Sequence, residues 1–182
     1  MKQDVIKNVI GRGSFFTELS AFFHLNYSYV IAIQNPYIRR RIVENELDEK
    51  TLPLYKALIH SSCLMYSNEI EYGSIICPMS LISCNVKIGQ FVVIDRMCNI
   101  GHDCIIHDFV TLAPSVTLSG HCEIDSNVYI GSGVLLKENV HICSDVTVGI
   151  GATVIKDITE SGTYAGVPAI KIKDISKKGQ II

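Results

Sequence analysis

Stepping by six from Ile70, the chain places Ile70, Ile76, Ile82, Ile88, Ile94, Ile100, Ile106, Leu112, Leu118, Ile124, Ile130, Leu136, Ile142, Val148 and Val154. With aliphatics at about a quarter to a third of positions, chance does not supply such an unbroken series. Backwards, Leu64 and Leu58 keep the register, and forwards it stops at Glu160. Two residues before each large aliphatic stands a smaller side chain: Ser80, Val86, Val92, Cys98, Cys104, Val110, Val116, Cys122, Val128, Val134, Val140, Val146 and Ala152. A period of six is the mark of a β-helix whose coil has three short faces. Each coil then uses three sixes, and residues 70–154 make about five coils, stacked ~4.8 Å apart. The period-six side chains fill a narrow interior, and no long loop is expected to leave it. Gly89, Gly101, Gly131 and Gly149 each follow an inward aliphatic, where a turn is expected to need a permissive backbone.

The two flanks have a different grammar. Val5–Ile10 reads as a strand, closed by Gly11-Arg12-Gly13-Ser14, and Phe15–His24 has helical apolar spacing with Ser14 as N-cap. Ser28–Gln34 reads as a second strand, Ile38–Lys50 as a helix, and Ala57–Ile59 as a third short strand. Such alternation predicts a small parallel α/β unit over residues 1–58. Its Gly11-Arg12-Gly13 turn either cradles a phosphate at a helix N-terminus or simply packs the first helix, and the third glycine of a dinucleotide fingerprint is absent. The β-helix domain is expected over 59–160. Residues 161–182, with Gly166-Val167-Pro168-Ala169, leave the period and are expected to cap its open end.

Composition removes several classes of function. A net charge of −2 with no basic cluster gives nucleic acid or an acidic membrane surface nothing to bind. The apolar stretches are too short for a membrane span, and no signal-peptide pattern is in view, so the expected compartment is the cytoplasm. Seven cysteines without a CxxC pair are neither a disulfide framework nor a zinc knuckle. Cys98, Cys104 and Cys122 occupy the small inward position and read as packing residues.

Four tracts together carry a resemblance. They are the strand-GxG-helix, the entry Leu58-Ile59-His60-Ser61-Ser62, the central Ile100-Gly101-His102-Asp103-Cys104-Ile105-Ile106-His107-Asp108-Phe109, and the Gly166-Val167-Pro168-Ala169 tail. The chain resembles the hexapeptide-repeat O- and N-acetyltransferases of the sialic-acid and bacterial UDP-amino-sugar type. The resemblance implies a mainly β protein, a left-handed parallel β-helix with a small N-terminal Rossmann-like domain. It also implies acetyl-CoA as co-substrate, a sugar or sugar-nucleotide acceptor bearing an amine or hydroxyl, and a homotrimer.

On that resemblance His102 is the general base and Asp103 its acidic partner. The chemistry suits them, because a neutral imidazole can take the acceptor's proton while a carboxylate steadies the imidazolium formed. Acetyl-CoA would lie along Thr111, Gly131, Ser132, Gly149 and Ile150, and the acceptor near Gly11, Arg12 and Gly13. The family often has histidine where this chain has Thr111, and glycine where it has His107. His102 and His107 also have the ligand spacing of γ-class carbonic anhydrases, trimeric β-helices with zinc between chains, so a zinc enzyme is the rival reading. Since a third histidine is not evident, no metal site is assigned. A non-catalytic assembly protein on the same prism is the remaining alternative.

Overall fold

A computed structural model describes residues 8–10, 29–46 and 57–174. The period-six reading holds where it matters most: every such aliphatic from Ile76 to Val154 is buried, and so is every smaller residue from Ser80 to Ala152. Together they form one continuous interior. Three parallel sheets enclose it. The first face stacks strands Ala57–Ile59, Ser74–Ile76, Val93–Ile94, Thr111–Leu112, Tyr129–Ile130 and Val146–Val148. The second stacks Leu64–Met65, Leu81–Ile82, Asn99–Ile100, Thr117–Leu118, Leu135–Leu136 and Thr153–Val154. The third stacks Asn68–Ile70, Val86–Ile88, Ile105–Ile106, Glu123–Ile124 and His141–Ile142. Ile100 pairs with Leu118 and Ile106 with Ile124, one full coil on, and no loop interrupts the stack.

The small inward position has a second use. Ser74 and Ser80 donate their hydroxyls to the carbonyls of Gly89 and Asp95, at 2.8 and 3.0 Å. The thiols of Cys98, Cys104 and Cys122 reach Ala113, Ser119 and Lys137 carbonyls at 3.2 Å in the same pattern. Burial pushes the Cys98 thiol up to about 12. These cysteines are packing residues, as the repeat implied.

The structure corrects the register before Ile70. Met65 pairs with Ile82, and Leu64 with Leu81, so the first coil is one residue short. Leu64 therefore points outward at 62% exposure, while Cys63 and Met65 pack on the interior. Leu58 is likewise displaced, pairing with Ile75. Ala57–Ile59 is also not a third strand of an α/β unit, because it pairs with Ser74–Ile76 as the first rung of the β-helix.

A second correction concerns the corners. Gly89, Gly101, Gly131 and Gly149 do not have the left-handed backbone. That conformation falls two residues later, in another unbroken series of sixes from Gly73 to Gly151, eleven of them non-glycine residues from Met79 to Asp145. Each such residue costs ~1–2 kcal/mol in isolation. The corners repay this by laddering: Asp103 N–H donates to the Cys84 carbonyl at 3.1 Å and His121 N–H to the His102 carbonyl at 2.9 Å. Glycine is needed at 101 for proximity instead, since a Cβ there would stand 2.6 Å from the Gly120 nitrogen.

At the N-terminal side, β1 (Asn8–Ile10) and β2 (Tyr29–Ile31) pair in parallel as the alternation implied. Helix α1 (Pro36–Glu46) starts two residues earlier than expected, because Asn35 Oδ1 accepts from Ile38 N–H and Pro36 is pre-set for the first turn. Ile31 and Ile42 close over Phe91, which stacks on Phe109 with ring centroids 5.3 Å apart, and Val30 packs on Ile75 and Val93. The first face of the prism is thus covered. Gly11-Arg12-Gly13 and the Phe15–His24 helix lie outside the described residues. At the other end Gly162–Ala165 and Ile170–Lys173 form an antiparallel hairpin on the first face, and Tyr164 and Ala169 pack on the interior as a cap.

Candidate active site

His102 and Asp103 stand at the corner between the second and third faces, held by the left-handed turn at Asp103 (φ 58°). His102 Nδ1 lies 2.7 Å from Asp103 Oδ2. Nδ1–H donates to the carboxylate, so Nε2 carries the lone pair, on a side chain more than half exposed at the edge. Asn85, one coil below, donates to Asp103 Oδ1 at 3.2 Å. These hydrogen bonds, that from His102 first, hold the Asp103 carboxyl below the usual carboxylate range.

Two neighbours complete this corner, Gly120, which the sequence does not mark, and His121, which its spacing of one coil from Asp103 does. Gly120 leaves the space the imidazole fills: a Cβ there would stand 2.8 Å from His102 Cε1 and Nε2. Only the absence of a side chain marks it, and that has no signature in a lone sequence. His121 packs edge-on against His102 with centroids 5.0 Å apart, its Nε2 3.8 Å from Asp103 Oδ2. Its spacing of one coil from Asp103 was the signal available.

Gly131, Ser132, Gly149 and Ile150 share another corner, between the first and second faces. A Cβ on Gly131 would meet the Ile150 nitrogen at 2.7 Å, and one on Gly149 the Ala165 methyl at 3.2 Å. Ile150 is 80% exposed. The tail docks on this edge, with Ala169 N–H donating to the Thr153 carbonyl at 2.8 Å. This edge and the His102 edge flank the same second face.

Thr111 does not join either edge. It lies on the covered first face at 0% exposure, donating to the Gln34 carbonyl at 2.6 Å and accepting from Arg39 at 2.9 Å. A cofactor contact through its side chain is closed off by this cover. His102 and His107 are not brought into one ligand group either: His107 turns to Glu123 and Asp125 on the third face, while His102 faces Asp103 and His121. Within one chain the two histidines therefore form no shared ligand group.

No protein-family model matches the chain. A GDP-perosamine N-acetyltransferase of Escherichia coli O157:H7 is 34% identical over 99 residues, 54% of this chain and 44% of that protein. The chain thus spans less than half the length of this curated relative. WeeI from Acinetobacter baumannii AYE is 30% identical with a TM-score of 0.77, over 84% of this chain and 76% of that one. The acetyltransferase domain of PglB from Neisseria gonorrhoeae FA1090, in complex with acetyl coenzyme A, is 26% identical with a TM-score of 0.77, over 91% and 83%. The chain belongs to the hexapeptide-repeat, left-handed β-helix sugar acetyltransferases.

Proposed function

We propose that the protein transfers the acetyl group of acetyl-CoA to the amino group of a nucleotide-linked sugar, with His102 as general base. The observation that carries this reading is the 2.7 Å contact from His102 Nδ1 to an ionised Asp103, which leaves Nε2 free at an exposed edge. The amine nitrogen attacks the thioester carbonyl as Nε2 takes its proton. The tetrahedral intermediate then expels the CoA thiolate, and the imidazolium returns the proton to sulfur. Asp103 steadies the imidazolium. The relatives' names, an N-acetyltransferase of GDP-perosamine and a domain bound to acetyl coenzyme A, support amine as acceptor and acetyl-CoA as donor.

Gly131, Ser132, Gly149 and Ile150 are assigned to the pantetheine arm, whose apolar stretches suit the exposed Ile150. The acceptor's nucleotide is assigned to residues 1–58, with Gly11, Arg12 and Gly13 on its phosphates. A homotrimer is proposed because the two functional edges flank one face, which leaves Leu81 and Leu135 in solvent. A neighbouring prism would cover that face and bring its own edge to His102. No helix among the described residues is long and apolar enough to cross a membrane. The seven free cysteines suit a reducing compartment, and we place the reaction in the cytoplasm.

The test is thiol release from acetyl-CoA with nucleotide-linked amino sugars. His102→Ala should lower kcat by about 10²–10⁴-fold with acetyl-CoA binding unchanged. Full turnover by that variant, or no thiol release with any amino sugar nucleotide, overturns the reading.

A further inference from the structure

A general base has to be aimed, and His102 is more than half open to solvent. Its hydrogen bond runs from Nδ1 to Asp103 Oδ2 at 2.7 Å. One bond fixes one point of a ring. It leaves the imidazole free to swing about the line from Nδ1 to the carboxylate, carrying Nε2 through an arc. Proton transfer needs that nitrogen within hydrogen-bond reach of the acceptor, and a misplacement of about 1 Å can cost about 10²-fold.

Two further contacts come from the coil above. A Cβ on Gly120 would crowd three ring atoms of His102, Cε1 and Nε2 at 2.8 Å and Cδ2 at 3.3 Å, so the imidazole lies against the backbone there. His121 presents its own ring at 88° to that of His102, with centroids 5.0 Å apart, inside the favourable range for edge-to-face pairs. His121 Nε2 stands 3.8 Å from Asp103 Oδ2, beyond a hydrogen bond, so its close contact with this corner is ring against ring. The carboxylate is steadied in turn from the coil below, where Asn85 donates to Oδ1 at 3.2 Å. Asp103 thus fixes a point of the imidazole, and Gly120 and His121 fix its plane.

We propose that His121 is a positioning residue for the general base, holding the plane of the His102 imidazole so that Nε2 stays aimed at the acceptor. It acts through His102 and is assigned no contact with either substrate. Its kinetic consequence rests on the acetyl-transfer reading, whereas its hold on the ring does not. The corner tolerates two informative replacements. His121 has φ 59°, and the same left-handed conformation is taken in this chain by Phe91 and Phe109 and by Asn85 and Asn127. His121→Phe keeps a ring and removes its nitrogens, while His121→Asn keeps a polar group and removes the ring.

The experiment follows thiol release from acetyl-CoA with nucleotide-linked amino sugars, using the full chain. His121→Asn should lower kcat by about tenfold to a hundredfold, with KM for both substrates within about twofold of wild type. His121→Phe should recover most of that loss. His121→Asn combined with His102→Ala should be no slower than His102→Ala alone, since no imidazole is left to position. A wild-type kcat in His121→Asn overturns the proposal. So does a loss that His121→Phe fails to recover, a rise in KM, or a further loss in the double variant. Carbon relaxation of the His102 ring by NMR reads the same hold without turnover: ring order should fall in His121→Asn and be kept in His121→Phe. Equal order in all three chains overturns the inference, whereas that difference in a wild type releasing no thiol overturns the acetyl-transfer reading alone.

Discussion

The first and second faces of the prism are built from the same repeat and end in different states. Beneath both, the inward rows are equally buried. The first face presents Ile75, Val93 and Thr111 outward, and the N-terminal segment closes over all three. The second presents Leu81, Asn99, Thr117, Leu135 and Thr153, and among the described residues nothing covers Leu81 or Leu135. The interior decides that there is a prism, and the outward rows decide what each face meets. Arg39 marks the covered face most clearly. It is buried and, among the described residues, has no carboxylate partner, its five hydrogen bonds to backbone carbonyls including Phe91 O at 2.7 Å and Phe109 O at 2.9 Å. Burial brings its guanidinium down to about 9, so it remains a cation at neutral pH.

Four substitutions break or sharpen this contrast. Leu118→Asp buries a charge without a partner beneath the second face, at a position 1% exposed. It should remove the cooperative melt altogether, since the cost exceeds about 5 kcal/mol. Arg39→Met keeps the bulk of that side chain and orphans the carbonyls of the covered face. A destabilisation of about 3 kcal/mol is expected by urea melting, and a loss under 1 kcal/mol would show that the cover is held by its apolar contacts alone. Leu135→Asp, on the bare face at 48% exposure, should change the stability of the chain by no more than about 0.5 kcal/mol. It should nevertheless reduce the sedimenting mass to the 20.1 kDa of one chain. An unchanged trimer would move the proposed contact to another face.

Asp103→Asn gives the smallest effect, read as the pH dependence of stability. The folded carboxyl lies below its ordinary value, so its contribution is present above that value and lost as pH falls through the folded one. The Tm gap between wild type and variant should therefore be steady at neutral pH and shrink below the ordinary 3.8. A gap that instead closes between pH 6 and 7, the range around the ordinary histidine value, would assign the coupling to an imidazole.

The interior was legible because a buried row has to repeat its residue type, and hydrophobic side chains announce themselves. The short first coil was not, since Leu64 and Leu58 are as aliphatic as any inward residue and only pairing with Leu81 and Ile75 reveals the slip. Glycine was read for the wrong property at 101, because the left-handed residue at that corner is Asp103, one of the few side chains that tolerate it. His102 and Asp103 were found through a family likeness, and the structure adds their contact. Thr111 was misplaced for a tertiary reason: what buries it comes from Gln34 and Arg39, far away along the chain. His107 stood out in sequence as unusual, while Glu123 and His141 join it only through stacking.

From Asn68 to Val154 the fixed pairing of each strand residue with the one eighteen positions on makes the prism a ruler as well as a scaffold. Adding or removing a whole coil leaves every downstream side chain on its own edge and shifts it by one rung, ~4.8 Å. Adding six residues keeps the interior intact but carries every downstream group to the next edge. Reach and orientation are therefore set by two independent lengths, so a chain of this kind can be lengthened to fit a longer donor arm without re-aiming its imidazole.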